Sequence, residues 1–146
     1  ENVENTLRDE REALSPAKIT DFRGKIQSIK NSALSAIRQL QSEGIDIIGY
    51  GGGIKASSLA NFLELTTQDI PYTLDMDPYK QGKKIPLAGI PILDPEVKIA
   101  ELKDPVAVLI LGLDHKQEIT KYLCAHIPLG SKIIDLFQTE KLTEVL

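Results

Sequence analysis

The pattern of apolar and polar residues predicts one long amphipathic helix near the start of the chain. Ser15-Pro16 is typical of a helix start, with proline in the first turn, and Gly44 is typical of a helix end. Between them, apolar residues recur at steps of three and four, which places them on one face: Ile19, Phe22, Ile26, Ile29, Ala33, Ile37 and Leu40. We expect this helix, residues 15–44, to pack that face on the core rather than on a partner. Residues 1–14 are charged and aperiodic, as in a linker or a frayed helix.

Short apolar runs and helical patterns then alternate along residues 45–146. Strands are predicted at the run that begins at Ile45 and at residues 71–76, 90–93, 106–111 and 133–137; helices are predicted at residues 56–65, 94–102, 114–126 and 140–146. The unbroken run 106–111 is typical of a strand buried on both faces, and Pro91 indicates an edge strand. Because right-handed crossovers join parallel strands, we predict an α/β fold with a doubly wound, mostly parallel, Rossmann-like sheet as one domain, residues 45–146.

Two aspartates and a cysteine have local roles in this pattern. Asp94 and Asp114 stand where predicted helices begin and are interpreted as N-caps. Cys124 falls within an amphipathic helix pattern and is interpreted as a small core residue. As the single cysteine of the chain, it excludes an internal disulfide and a metal site built from cysteines.

A glycine-rich turn follows the first predicted strand. Gly51, Gly53 and Ala56 have the G-x-G-x-x-G/A spacing of dinucleotide-binding turns. Such glycines let the backbone approach a ligand, and the free N–H groups of the following helix favour an anion, to which Lys55 would add a charge. The alternative is a turn that needs small residues for packing and binds nothing. The turn shares the carboxyl edge of the predicted sheet with loops 75–84 and 112–116, where such sheets bind ligands.

Composition and charge narrow the class of protein. A chain of 146 residues with 42% hydrophobic and 26% charged residues fits one globular domain. The net charge of -4 argues against nucleic acid as a partner. No apolar run is long enough for a membrane span and no signal-peptide pattern opens the chain, so we expect a cytoplasmic location. The only methionine is Met76, and we interpret the chain as a piece of a longer protein.

Three short segments carry a resemblance to a known family. They are Gly-Tyr-Gly-Gly-Gly-Ile-Lys-Ala at 49–56, Asp-Met-Asp-Pro-Tyr-Lys-Gln-Gly-Lys at 75–83 and Ile-Pro-Ile at 90–92. Together they resemble the C-terminal domain of sugar C-methyltransferases, which use S-adenosylmethionine to methylate a carbon of a deoxysugar carried on a nucleoside diphosphate. The resemblance extends over residues 15–137. The glycine turn departs from the family, which commonly has alanine and proline within residues 52–54.

The resemblance implies that the domains of the complete enzyme have different functions. In that family a cysteine-rich zinc-binding segment and a methyltransferase domain precede this Rossmann-like domain. It therefore implies that the chain is a non-catalytic fragment, without a cofactor, metal or catalytic residue of its own. It also implies that the fragment holds a nucleoside-diphosphate sugar, expected to be dTDP-linked, against the methyltransferase domain of the same enzyme, where S-adenosylmethionine binds.

Twelve residues are predicted to bind the substrate, each with an alternative. Tyr50 and Tyr79 would stack on a base or hydrogen-bond a sugar, or only cover the sheet edge. Asp75 and Asp77 would accept hydrogen bonds from ribose or sugar hydroxyls, or only form turns. The lysines would hold phosphate, or only face solvent. His115, beside Asp114, would serve as a base, or only begin a helix. The set is Tyr50, Gly51, Gly52, Gly53, Lys55, Asp75, Asp77, Tyr79, Lys80, Lys83, Asp114 and His115.

Two other functions stay open at this point. A self-contained NAD-binding module of a dehydrogenase or redox sensor would explain the glycine spacing and Asp75, 24 residues after Gly51. It would leave the lysine-rich loop and the long helix without a role. A Rossmann-like domain retained for assembly would use the long helix as a dimer seam.

Overall fold

The computed structural model describes residues 2–136 and 143–144. The described residues form five α-helices and six strands. After the first two helices, the elements follow the predicted order as far as residue 134. The helices are α1 (Asn2–Ala13), α2 (Pro16–Ser42), α3 (Ile54–Phe62), α4 (Pro95–Glu101) and α5 (Lys116–His126). The strands are β1 (Ile47–Tyr50), β2 (Thr73–Leu74), β3 (Ile92–Leu93), β4 (Ala107–Ile110), β5 (Lys132–Ile134) and β6 (Thr143–Glu144).

The strands form one sheet in the order β3-β2-β1-β4-β5-β6. The first five are parallel to one another, and β6 pairs with β5 in the antiparallel direction. The chain therefore moves outward from β1 to one edge, returns to the centre at β4 and continues to the other edge. This confirms the doubly wound, mostly parallel sheet, and β3, which follows Pro91, is an edge strand as predicted.

Helices cover the sheet on both faces, which explains the apolar strands. Neighbouring residues of a strand point to opposite faces, so Ile47 joins the cluster under α2 and α3, whereas Ile48 joins the cluster under α4 and α5. In β4, Leu109 and Val108 divide in the same way, and both are fully buried. The central strands are thus buried on both faces.

The long helix α2 packs on the sheet only along its second half. It ends at Ser42 with Glu43 as its C-cap, and Gly44 follows in the left-handed conformation with φ of 74°, as expected for a helix C-terminus. Ala33, Ile37 and Leu40 are buried, which confirms core packing for that half. In the first half, however, Ile19 and Phe22 are 39% and 63% exposed. Periodicity shows that one face is apolar, but it does not show how much of that face the rest of the fold covers.

Three local predictions are wrong. Asp114 is not a helix N-cap: Leu113–His115 form a 3-10 turn, and α5 begins only after His115, so the Asp114 side chain is free to pair elsewhere. Cys124 is exposed, because α5 buries Ile119 and Leu123 and the next position turns away from the sheet.

The predicted helix at residues 140–146 is wrong where the structure describes it. Thr143–Glu144 form β6, which pairs with Lys132 and Ile133 of β5. The open edge of β5 offers unpaired backbone groups, and these outweigh a weak helical pattern. The other positions of that predicted helix lie outside the described residues. Within the described part of the chain, no helix combines the length and apolarity needed to cross a membrane.

Candidate functional site

A cleft of about 820 Å³ opens at the carboxyl edge of the sheet, where β1, β2 and β4 end. This volume lies in the range of small-molecule sites, and the place is the crevice at which the strand order reverses. Residues from the glycine turn, the loop after β2, the 3-10 turn and α5 line it. They are Tyr50, Gly51, Gly53, Ile54, Lys55, Ala56, Asp75, Met76, Lys80, Gly112, Leu113, Asp114, His115, Glu118, Ile119 and Tyr122.

Gly51 lets the ends of β1 and β4 meet at the floor of the cleft. Its φ is 117°, and a Cβ atom there would lie 2.5 Å from the Gly112 backbone nitrogen. The Gly112 N–H donates to the Tyr50 carbonyl at 3.0 Å, and the Gly51 N–H donates to the Leu74 carbonyl at 2.6 Å. The conformation and the contact both require glycine at position 51 whether or not a ligand binds.

The next two glycines differ in what surrounds them. A Cβ atom on Gly52 would lie 2.9 Å from the Ile92 side chain, so packing against β3 explains this glycine. A Cβ atom on Gly53 would meet only the Lys80 ammonium nitrogen, at 3.9 Å. Packing therefore accounts for two of the three glycines, and Gly53 is the one that keeps the cleft open at the start of α3.

Asp75 holds the loop after β2 against the glycine turn. Its Oδ2 accepts a hydrogen bond from the Gly52 N–H at 2.7 Å, and its Oδ1 accepts one from the Asp77 N–H at 2.9 Å. The Lys80 ammonium lies 3.2 Å from Asp75 Oδ2 and 3.4 Å from Asp77 Oδ2. Partial burial acts to lower the pKa of Lys80, but its bonds to the two carboxylates raise it overall. Lys80 therefore stays charged and paired.

An ion pair joins Lys55, at the start of α3, to Asp114, in the 3-10 turn. The two side chains are 62% and 59% exposed, so the pair crosses the mouth of the cleft in contact with solvent. His115 lines the same wall and is exposed. Because water screens such a pair, its members can exchange partners at small cost when a charged ligand arrives.

Aromatic side chains form the inner wall of the cleft on the α5 side. Tyr50 is 4% exposed, and its ring lies 6.1 Å from that of Tyr122 in a tilted arrangement. The Tyr122 ring stacks in turn on His126 at 4.3 Å. Burial, with smaller contributions from Tyr122 and Asp75, raises the pKa of Tyr50 to about 12. Tyr50 is therefore a neutral phenol at physiological pH.

Most of the predicted binding residues meet in this cleft. Eight of the twelve line it: Tyr50, Gly51, Gly53, Lys55, Asp75, Lys80, Asp114 and His115. Gly52 and Asp77 lie one step away and support Asp75, as described above. Tyr79 is 82% exposed, and neither it nor the exposed Lys83 lines the cleft.

The sequence analysis missed the residues that α5 supplies to the cleft. Glu118, Ile119 and Tyr122 line it from the first two turns of that helix. Positions 118 and 122 are four residues apart, and such residues face the same side of a helix. Since α5 follows the strand at which the sheet order reverses, this spacing could have identified them.

The cleft offers charged, polar and aromatic side chains to a ligand. Two lysines and three carboxylates line it, together with one histidine. Within residues 2–136 and 143–144, no group of three or more His, Cys, Asp or Glu side chains is arranged to hold a metal ion. The paired charges, the glycine opening and the aromatic wall can hold a polar ligand with a planar part.

Comparison with known proteins gives the chain a family context. The family model of the C-methyltransferase C-terminal domain matches residues 1–136. The chain is also similar to the C-methyltransferase NovU of Streptomyces niveus, with 28% identity over 99 residues. That match covers 68% of this chain and 23% of the relative, so the chain spans about a quarter of that relative's length.

Proposed function

Because the chain belongs to the family of C-methyltransferase C-terminal domains, we propose that it binds the nucleotide-sugar substrate of a sugar C-methyltransferase. The observation that carries this proposal is the cleft at the carboxyl edge of the sheet, which combines a glycine opening, ion pairs and an aromatic wall. A nucleoside-diphosphate sugar has matching parts: a planar base, two phosphates and hydroxyl-bearing rings. We take the nucleotide to be thymidine diphosphate.

The diphosphate belongs at the start of α3 in this proposal. Lys55 stands there, and its partner Asp114 lies in the 3-10 turn across the mouth. The first N–H groups of a helix favour an anion, and Gly53 leaves room for one beside them. Lys55 would leave Asp114 to contact the phosphates, which costs little for an exposed pair.

The complete enzyme divides its chemistry between domains in this proposal. S-adenosylmethionine would supply the methyl group in the part of the enzyme that this chain does not include. We assign the cleft at the carboxyl edge of the sheet to the sugar nucleotide rather than to the methyl donor. The chain therefore positions the sugar for another domain of the same polypeptide, and we expect no methyl transfer by the chain alone.

A melting experiment separates this proposal from NAD binding. NAD deserves the comparison because the strand order 3-2-1-4-5-6 is that of dinucleotide-binding folds. A ligand at a hundred times its dissociation constant stabilises the folded state by about 2.7 kcal/mol, which raises the melting temperature measurably. We expect a thymidine-diphosphate sugar to raise it more than NAD at equal concentration. A larger effect of NAD would overturn the proposal.

A further inference from the structure

The Tyr50 side chain is buried, yet its hydroxyl group has no hydrogen-bond partner in the described part of the chain. The residue is only 4% exposed, and it lines the cleft. Among the described residues, every buried side-chain nitrogen or oxygen has a partner. The Tyr50 hydroxyl has none, so it must be the part of the side chain that reaches the accessible surface. Because Tyr50 also lines the cleft, we take this hydroxyl to be the polar group that the residue presents there.

Apolar and aromatic side chains pack around the Tyr50 ring. Ile119 belongs to the same buried cluster as Tyr50, and Tyr122 packs against that cluster. The Tyr122 ring is held between the Tyr50 ring and the stacked His126 ring. These contacts form an inner aromatic compartment of the cleft, lined by Tyr50, Ile119 and Tyr122, without a ligand. It suits a flat, uncharged group that makes one hydrogen bond at its edge.

Charge separates this compartment from the lysine at the mouth. Asp75, which adds to the rise in the pKa of Tyr50, and Glu118 both line the cleft. The Asp75 charge is offset by Lys80, but the Glu118 charge, one helical turn before Tyr122, disfavours phosphate there, whereas Lys55 at the start of α3 favours it. The neutral part of a nucleotide sugar therefore belongs at Tyr50, and the diphosphate belongs at Lys55.

We propose that the Tyr50 hydroxyl hydrogen-bonds the nucleoside and makes the cleft selective for that end of the substrate. This inference rests on the proposed function, since it assigns one part of the same ligand. The sugar is the other neutral part, but its reacting carbon must face a methyl donor bound outside this chain. The sugar therefore lies at the open mouth, and the nucleoside occupies the inner aromatic compartment.

The test compares Tyr50→Phe with the unchanged chain by calorimetric titration. Phenylalanine keeps the ring and removes only the hydroxyl. Tyr72→Phe is the matched control, because Tyr72 is partly buried in the same cluster but does not line the cleft. The ligands are thymidine diphosphate, the same nucleotide linked to a sugar, and inorganic pyrophosphate. Loss of one hydrogen bond is expected to weaken binding by about three- to tenfold.

Each pattern of results has one meaning. We expect Tyr50→Phe to weaken thymidine diphosphate and its sugar adduct by the same factor, to leave pyrophosphate unchanged, and Tyr72→Phe to alter none of them. A loss confined to the sugar adduct would place the sugar at Tyr50 and overturn the assignment. Equal affinities in Tyr50→Phe and the unchanged chain would overturn it while leaving the proposed function intact. If the unchanged chain binds neither nucleotide, the result contradicts the proposed function, and with it this inference.

Discussion

The Asp75 carboxylate accepts the backbone N–H of Gly52, a group that would otherwise be available to a ligand phosphate at a glycine-rich turn. Its Oδ2 accepts the Gly52 N–H at 2.7 Å, and the Asp75 side chain is only 13% exposed. Part of the anion-binding capacity of the turn is therefore used inside the protein. In the proposed function, the phosphates of a ligand would therefore bind at Gly53 and Lys55 instead.

Replacing Asp75 tests this relationship. Asp75→Ala should lower the free energy of unfolding by about 1–3 kcal/mol, because the Gly52 N–H and the Lys80 ammonium both lose a partner. It should also allow inorganic phosphate to raise the melting temperature more than in the unchanged chain, since the Gly52 N–H is then free and Lys80 keeps only Asp77 as a partner. Asp75→Asn keeps an acceptor for Gly52 and should lose less stability. If phosphate affects Asp75→Ala and the unchanged chain alike, the carboxylate is not what keeps anions from the turn.

Gly51 should be the least replaceable residue of the turn. Its φ of 117° and the 2.5 Å approach of a Cβ atom to Gly112 strain any side chain there. Gly51→Ala should therefore cost about 3 kcal/mol or more in urea unfolding. Gly24→Ala is the matched control: a Cβ atom there meets nothing within 4 Å, and alanine should stabilise α2 by up to about 1 kcal/mol. Equal midpoints for the two variants would contradict this account.

The strand and helix pattern could be predicted from sequence because local residues decide it. The run 106–111 is typical of a strand buried on both faces and contains β4, Gly44 follows α2 in the left-handed conformation, and the Asp94 side chain accepts a hydrogen bond from the Glu96 N–H as an N-cap. These features depend on residues within one or two turns of each other. Such rules transfer from sequence to structure without knowledge of the rest of the fold.

The parts that could not be predicted depend on contacts between distant positions. Lys55 and Asp114 are 59 residues apart, and local helix rules assigned Asp114 to a cap instead. Phe22 and Ile37 belong to one periodic stripe, yet only Ile37 is buried. A pattern shows which face of a helix is apolar, but the tertiary structure decides how much of that face is covered.

Tyr50 should make stability depend on pH only in strongly alkaline solution. Its pKa of about 12 in the folded chain exceeds the value of about 10 for an unfolded tyrosine. Below about pH 10 the phenol is neutral in both states and contributes no pH dependence. As pH rises from about 10 to 12, the unfolded state loses the proton first, and the free energy of unfolding should fall by about 2–3 kcal/mol.

Tyr50→Phe isolates that contribution, because every other titrating group remains. Urea unfolding of both forms at intervals between pH 8 and about pH 12 gives the comparison. The difference between their free energies of unfolding should be constant up to about pH 10 and then change in favour of the phenylalanine variant. A constant difference over the whole range would show that the Tyr50 pKa is not raised in the folded protein.

Lys55 and Asp114 should affect nucleotide binding in opposite directions. If a diphosphate binds at the start of α3, Lys55→Ala removes a charge-assisted contact, and thymidine diphosphate should bind about tenfold more weakly or worse. Asp114→Asn removes the negative charge that holds Lys55 in the free chain, so affinity should rise by about two- to fivefold. Stability should change by less than about 0.5 kcal/mol in both variants, because both side chains are mostly exposed.

Lys103→Ala is the control for the Lys55 variant, because Lys103 is exposed and precedes β4 at the opposite edge of the sheet. Calorimetric titration at fixed low salt compares all four forms. Affinities that do not differ between Lys55→Ala and Lys103→Ala would remove Lys55 from the site, and packing would then be the only demonstrated role of the glycine turn.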